Sequence, residues 1–146
     1  MNESWRVPIR KVVTGVPGLD VLPTIGASQV LRSQIGYLDF DGGSCVRFIT
    51  AYRQDVGAIT DADTFYTCQG LSDNGRYFVS FVYPVSSTAL PASARRVTRA
   101  ELARIEKDPE GYLRRVEAAL NRLTSRGFRP SLAQLDTVMK SLKIAP

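Results

Sequence analysis

Histidine is absent from the 146 residues. Without an imidazole, Ser-His-Asp and Cys-His nucleophile systems, His-ligated zinc and imidazole pH switching are excluded within this chain. Cysteine is scarce. Cys45 and Cys68 are too few for an all-cysteine zinc site, and their spacing matches no CxxC redox motif. No apolar run approaches the ~18 residues of a membrane-spanning helix, and the opening residues Met1 to Arg6 carry no signal-peptide apolar core. Neither of the glycine-rich phosphate-cradling fingerprints, GxxxxGKS/T or GxGxxG, occurs, so nucleotide binding by those loops has no support and no cofactor is expected. The 11 Gly and 8 Pro are ordinary numbers and exclude collagen-like and low-complexity chains. A hydrophobic fraction of 44% and a charged fraction of 23% suit one globular domain, and residues 1–146 are read as a single unit.

The charge that is present is unevenly placed. Residues 1–93 carry seven basic and eight acidic side chains, whereas residues 94–146 carry twelve basic and six acidic, so the overall +5 belongs to the second segment. Fifteen of the nineteen basic residues are Arg, the side chain suited to bidentate contacts with phosphate or carboxylate. Arg95, Arg96, Arg99, Arg115, Arg122 and Arg126 are therefore the candidate set for a polyanion such as nucleic acid, anionic lipid or acidic glycan. The competing reading is a solvated helix surface.

Pro, Gly and Val dominate the first 28 residues, and Val16-Pro17-Gly18 and Leu22-Pro23 interrupt any regular element, so residues 1–28 read as irregular chain lying over a core. Gln29–Phe40 alternates imperfectly and reads as a strand. Asp41-Gly42-Gly43 supplies a turn, and Val46–Arg53 reads as a half-buried strand. After a loop, Thr64–Leu71 and Arg76–Val85 are strands joined by Ser72-Asp73-Asn74-Gly75, a strong hairpin signal. Cys45 and Cys68 then fall on neighbouring antiparallel strands, open either to a disulfide or to two buried thiols. If they face each other directly, Phe48 falls opposite Phe65 unless a bulge intervenes.

A Ser/Pro/Ala linker over 86–94 precedes a change to helix formers. Thr98 with Glu101 matches a capping box, and Asp108-Pro109 reads as an N-cap with Pro at the first helical position. That helix is expected to reach about Ser125 with Gly127 as its stop, to bury Tyr112, Leu113, Val116, Leu120 and Leu123, and to carry Arg115, Arg122 and Arg126 on one flank. A last helix begins at Pro130-Ser131 and buries Leu132, Leu135, Val138 or Met139, and Leu142. Strands followed by helices argue α+β: an antiparallel sheet of about four strands over 29–85, packed against helices over 98–142.

Two further clusters invite chemistry. Asp39, Asp41, Asp55, Asp61, Asp63 and Asp73 superficially suggest oxygen ligands for a hard cation, but the further carboxylates at fixed spacing that a calcium loop needs are missing, and turn-forming Asp is the better reading. As a paired acid and base for glycoside hydrolysis, Asp39 or Asp41 with Asp63 is conceivable but has no second feature of such a site behind it. Tyr52, Phe65, Tyr66, Tyr77, Phe78, Phe81 and Tyr83 beside Arg47, Arg53 and Arg76 offer a possible single-strand stacking surface, although strand aromatics are more often core.

Tyr37-Leu38-Asp39-Phe40, Gly43-Ser44, Val46-Arg47-Phe48, Ile59-Thr60, Phe65-Tyr66-Thr67, Gln69-Gly70-Leu71, Asp73 to Tyr77 and Pro84-Val85, resumed by Phe128 to Leu132, Leu135-Asp136 and Ser141-Leu142, resemble a family of uncharacterised bacterial secreted or lipoprotein-type proteins from chloroflexi and cyanobacteria. In general shape the chain also looks like the PsbP-type α+β sandwich. The resemblance implies an extracytoplasmic domain with no catalytic residue, belonging to a longer envelope protein and binding or scaffolding an envelope partner. It further implies that Cys45 and Cys68, standing where the family has a small residue and an aromatic, were gained together as a bridge. A cytoplasmic polyanion or nucleic-acid binder is the alternative.

Overall fold

A computed structural model describes residues 27–145. The irregular segment expected over 1–28 therefore lies, up to residue 26, outside the described residues. β1 (Ser28–Phe40), β2 (Gly43–Arg53), β3 (Thr64–Ser72) and β4 (Phe78–Pro84) form one antiparallel sheet in sequential order. The helices follow: α1 (Arg99–Lys107), α2 (Pro109–Arg122) and α3 (Leu132–Lys140). A two-residue pair, β5 (Ser86–Ser87) with β6 (Phe128–Arg129), ties the chain leaving the sheet to the chain entering α3. The architecture is α+β, as the order of strands and helices implies.

Glycine places the tight turns. Gly42 and Gly75 adopt φ of +92° and +71°, a region costly for any side chain, and close the β1–β2 and β3–β4 hairpins. The helices start where their caps are written. Thr98 and Ser131 each close a full capping box, with Glu101 and Gln134, and the Asp108 carboxylate accepts from Gly111 N–H ahead of Pro109.

Helix-side residues of the sheet, among them Leu31, Leu38, Cys45, Ile49, Ala51, Tyr66 and Cys68, share one core with Val116 and Leu120 of α2, Phe128, and Leu132, Leu135 and Met139 of α3. Val46 and Phe48 sit on the opposite face, flanked by Tyr37, Tyr52 and Phe65, and make a second cluster. Both faces of β2 are therefore apolar, which is why its burial is nearly continuous rather than alternating.

Several local expectations need correction. α2 stops at Arg122, not near Ser125, because Leu123 turns to extended backbone (φ −70°, ψ 143°) and a short 3-10 turn follows over Ser125–Gly127. Of the two α3 residues left open, Met139 fills the core and Val138 is exposed, which resolves the alternative rather than overturning it. The β2–β3 register is shifted by two residues from direct opposition of the cysteines: Cys45 faces Gly70, Arg47 faces Cys68, and Phe48 faces Thr67 rather than Phe65. The cysteines nonetheless share a face, and they are joined by a disulfide running diagonally across the pair with Cα atoms 5.7 Å apart.

Gly70 makes that diagonal feasible. A Cβ at this position would stand 2.6 Å from Cys45 Cβ and closer still to the Ser44 carbonyl oxygen, so only a bare backbone fits opposite the bridge. Gly70→Ala is expected to destabilise the chain by about 2 kcal/mol through overpacking, read as a lower urea midpoint with an unchanged slope.

The edge at β1 is closed by α2. A register shift between Ser33 and Gly36 leaves Gln34 at φ +55°, and its backbone N–H, backbone carbonyl and side-chain NH2 are all engaged. Its N–H donates to Asn121 Oδ1 (2.7 Å), its side-chain amide donates to the Leu120 and Leu123 carbonyls (2.7 and 2.9 Å), and its carbonyl accepts from Arg47 Nη1 (2.6 Å). The bulge thereby caps the C-terminal end of α2, adding a donor to the Leu120 carbonyl, which also accepts from Leu123 N–H, and supplying one to the Leu123 carbonyl.

Candidate functional site

α1 and α2 meet at Asp108, which ends one helix and caps the next with no intervening loop. The sharp joint leaves a cleft of about 270 Å³ between the two helices and the preceding turn, floored by Ala58, Val97, Ile105 and Tyr112. Arg96, from the 3-10 turn Ala94–Arg96, Arg104 of α1 and Arg115 of α2 line it, so three separate segments each contribute a guanidinium. Tyr112 and Arg115, three residues apart, share one face of α2.

The polar groups around the cleft are unequally engaged. Glu101 lines it too, but its carboxylate accepts from Thr98 N–H (2.8 Å) as part of the cap. Among the described residues no carboxylate lies within ion-pair distance of Arg96, Arg104 or Arg115. The Tyr112 hydroxyl oxygen accepts from Ile59 N–H (2.8 Å), anchoring the 54–63 loop against α2. Burial pushes that hydroxyl above the ordinary tyrosine range, so it remains a neutral donor at physiological pH. Three guanidinium groups against one carboxylate leave the lining of the cleft with a net positive charge.

The arginine set read from the sequence is only partly assembled. Arg96 and Arg115 reach the cleft, Arg95 on the 3-10 turn and Arg99 at the start of α1 are exposed outside its lining, and Arg122 is exposed at the C-terminal end of α2. Arg126 does not share a helical flank with Arg115 and Arg122. Because α2 ends early, Arg126 lies on the 3-10 turn and borders a separate groove with Arg129. Sequence reasoning missed Arg104 and Tyr112. The available signal was the Asp108-Pro109 joint, which folds the Arg104 turn of α1 back toward the first turns of α2.

Three of the acidic candidates, Asp55, Asp61 and Asp63, have structural partners. Asp63 Oδ2 accepts from Arg53 Nη1 (3.0 Å) and Thr60 N–H (2.8 Å), Asp55 pairs with Arg53 (3.0 Å), and Asp61 Oδ1 accepts from Ser87 N–H (2.9 Å). Asp39, opposite Ser44, and Asp63, just before the residue opposite Ala51, lie seven β2 residues apart, about 23 Å at ~3.3 Å per residue. Glycoside hydrolysis needs its carboxylates within about 9.5 Å, so Asp39 and Asp63 cannot act as that pair. Among the described residues no group of three or more His, Cys, Asp or Glu side chains is placed to hold a metal ion.

Arg47, a candidate partner for stacked bases, instead lies on the helix side, with Nε 3.4 Å from Asp136 of α3. Asp136 also accepts from the Tyr66 hydroxyl (2.8 Å). The aromatics divide between faces: Tyr52 and Phe65 stack on one (6.1 Å), while Tyr66, Phe81 and Tyr83 pack together on the other. They do not form a single stacking platform.

No protein-family model matches this chain, and no curated protein or solved structure is significantly similar to it. Fold and disulfide define it as a disulfide-bridged α+β domain. No described helix is long and apolar enough to cross a membrane.

Proposed function

We propose that the chain is a non-enzymatic binding domain of an extracytoplasmic compartment, which holds the anionic group of an envelope partner or ligand in the α1–α2 cleft. The observation that carries the reading is the convergence of Arg96, Arg104 and Arg115, none with a carboxylate partner among the described residues, on one cleft beside the Tyr112 hydroxyl. The compartment is supported by the buried Cys45–Cys68 bridge, since such bonds persist where the surroundings are oxidising, and by the resemblance to secreted and lipoprotein-type proteins.

A ligand that binds only the folded chain raises its melting temperature, so inorganic phosphate, citrate and a sulfated oligosaccharide can be compared by thermal shift. At least one is expected to stabilise the protein, and the Arg104→Ala, Arg115→Ala double variant should weaken that binding by about a hundredfold, two charge-assisted contacts at roughly tenfold each. Failure of all three anions at millimolar concentration sinks the proposal. If the loss instead follows Arg95, Arg99 and Arg122 equally, and affinity for nucleic acid falls steeply with salt, the alternative of a polyanion-binding arginine surface takes its place.

A further inference from the structure

The sheet protects one edge and leaves the other open. Along β1, the outward N–H groups of Arg32 and Gln34 are taken by Glu117 Oε1 (2.9 Å) and Asn121 Oδ1 (2.7 Å) of α2. β4 is the last strand at the other side, and no described strand pairs with its outer edge. Its seven residues, Phe-Val-Ser-Phe-Val-Tyr-Pro, include no charged side chain, and Phe78, Val82 and Tyr83 are each 44–51% exposed. Sheet edges are ordinarily blunted by charge, bulges or a covering element. Among the described residues the one such device on β4 is Pro84, at the very end of the strand.

We propose that β4 is a docking edge for an extended segment of a partner protein, which adds as a fifth strand and carries an apolar side chain four residues away from an acidic one. The chemistry follows from what flanks each end of β4 on the helix side. Near Val79 the surface is a largely apolar groove shared with Leu142 and Ile144, with Lys143 in its lining. Near Tyr83 it is a groove bordered by Arg126, Arg129 and Val138. Val79 and Tyr83 lie on the same face, opposite Gly70 and Tyr66, and four residues of strand separate them by about 13 Å. An added strand has the same period, so its side chains at i and i+4 reach the two grooves together. Main-chain pairing supplies affinity and the grooves supply selection.

Charge decides against a second copy of this chain as the occupant. β4 offers no acidic residue to Arg126 and Arg129. Antiparallel self-pairing would bring those arginines toward the Lys143 end of the other copy, and parallel self-pairing would set them against themselves. An acidic side chain on a partner strand meets them instead. Arg126 and Arg129 have no ion-pair partner among the described residues, and both are exposed.

The test uses the full chain and a fluorescein-labelled peptide of about ten residues, alternating Thr and Val, with Leu and Glu four positions apart. Binding is read by anisotropy and mapped by amide hydrogen exchange. Expected is slowed exchange confined to the β4 segment, about tenfold weaker binding to Arg129→Glu, and recovery when the peptide Glu is replaced by Lys. Protection elsewhere, or a charge swap without effect, overturns the proposal. So do outward-facing β4 amides, those not paired to β3, already protected without peptide, which would mean that the chain fills its own edge. Self-association that protects β4 and ignores Arg129→Glu would assign the edge to a second copy. None of these variants touches the α1–α2 cleft, so the two proposals fail independently.

Discussion

Removal of the Cys45–Cys68 bridge, by the double Ser variant or by reduction, is expected to lower the unfolding free energy by about 3 kcal/mol. The bridge joins residues 23 apart in sequence, and closing a loop of that size restricts the unfolded chain by roughly this amount. For a chain of this length the loss corresponds to a fall in melting temperature of about 10 °C. Both cysteines are buried in the core shared with Ile49 and Tyr66, so reductant has no direct path to the sulfurs. Reduction under native conditions should therefore follow the rate of opening rather than reductant concentration, and urea should accelerate it sharply. A double variant within about 0.5 kcal/mol of the parent would show that the bridge adds little beyond packing. Intact mass after trapping free thiols at lysis of the native host tests the compartment separately: two alkylated cysteines would leave the bridge unformed there and withdraw its support for an extracytoplasmic site.

Much of this framework was legible in the sequence because it is locally encoded. Gly42 and Gly75 mark turns that need positive φ, and the Thr98, Asp108 and Ser131 caps fix where the helices begin. Long-range geometry was less visible. Direct opposition of the cysteines seemed the natural register, yet the strands are offset so that Gly70, which has no side chain, faces Cys45. Gln34 gave no warning of its positive φ, because the device that holds it there, the open end of α2, lies some 86 residues further along the chain. The two-residue β5–β6 pair is too short for any periodicity. The arginine cleft depends on how sharply α1 and α2 fold at Asp108. Charge counting therefore found Arg96 and Arg115 but not Arg104.

Asp136→Ala is expected to be as damaging as loss of the disulfide, about 3 kcal/mol, because Asp136 is a carboxylate on the same face of α3 as the buried Leu132, Leu135 and Met139. The carboxylate serves two groups that cannot turn to water. Tyr66 is fully buried and donates its hydroxyl to Asp136, and Arg47, only 18% exposed, faces it across 3.4 Å. Removing the acid strands a buried donor and a mostly buried cation together, whereas Asp136→Asn keeps an acceptor for Tyr66 and should cost about half as much. The same cluster sets an alkaline limit. Burial first, then donation to Asp136 and the negative charge beside it, push the Tyr66 hydroxyl far above the ordinary tyrosine range. A tyrosine whose folded pKa exceeds its unfolded value of about 10 gives stability that is complete below pH ~10 and is lost above it, at up to about 1.4 kcal/mol per pH unit. Tyr66→Phe should flatten that part of the alkaline decline at the cost of a weaker protein at neutral pH. Absorbance at 295 nm should show this tyrosine ionising only as the chain unfolds. If Tyr66→Phe leaves the alkaline slope unchanged, the buried hydroxyl is not its source, and exposed side chains must account for it.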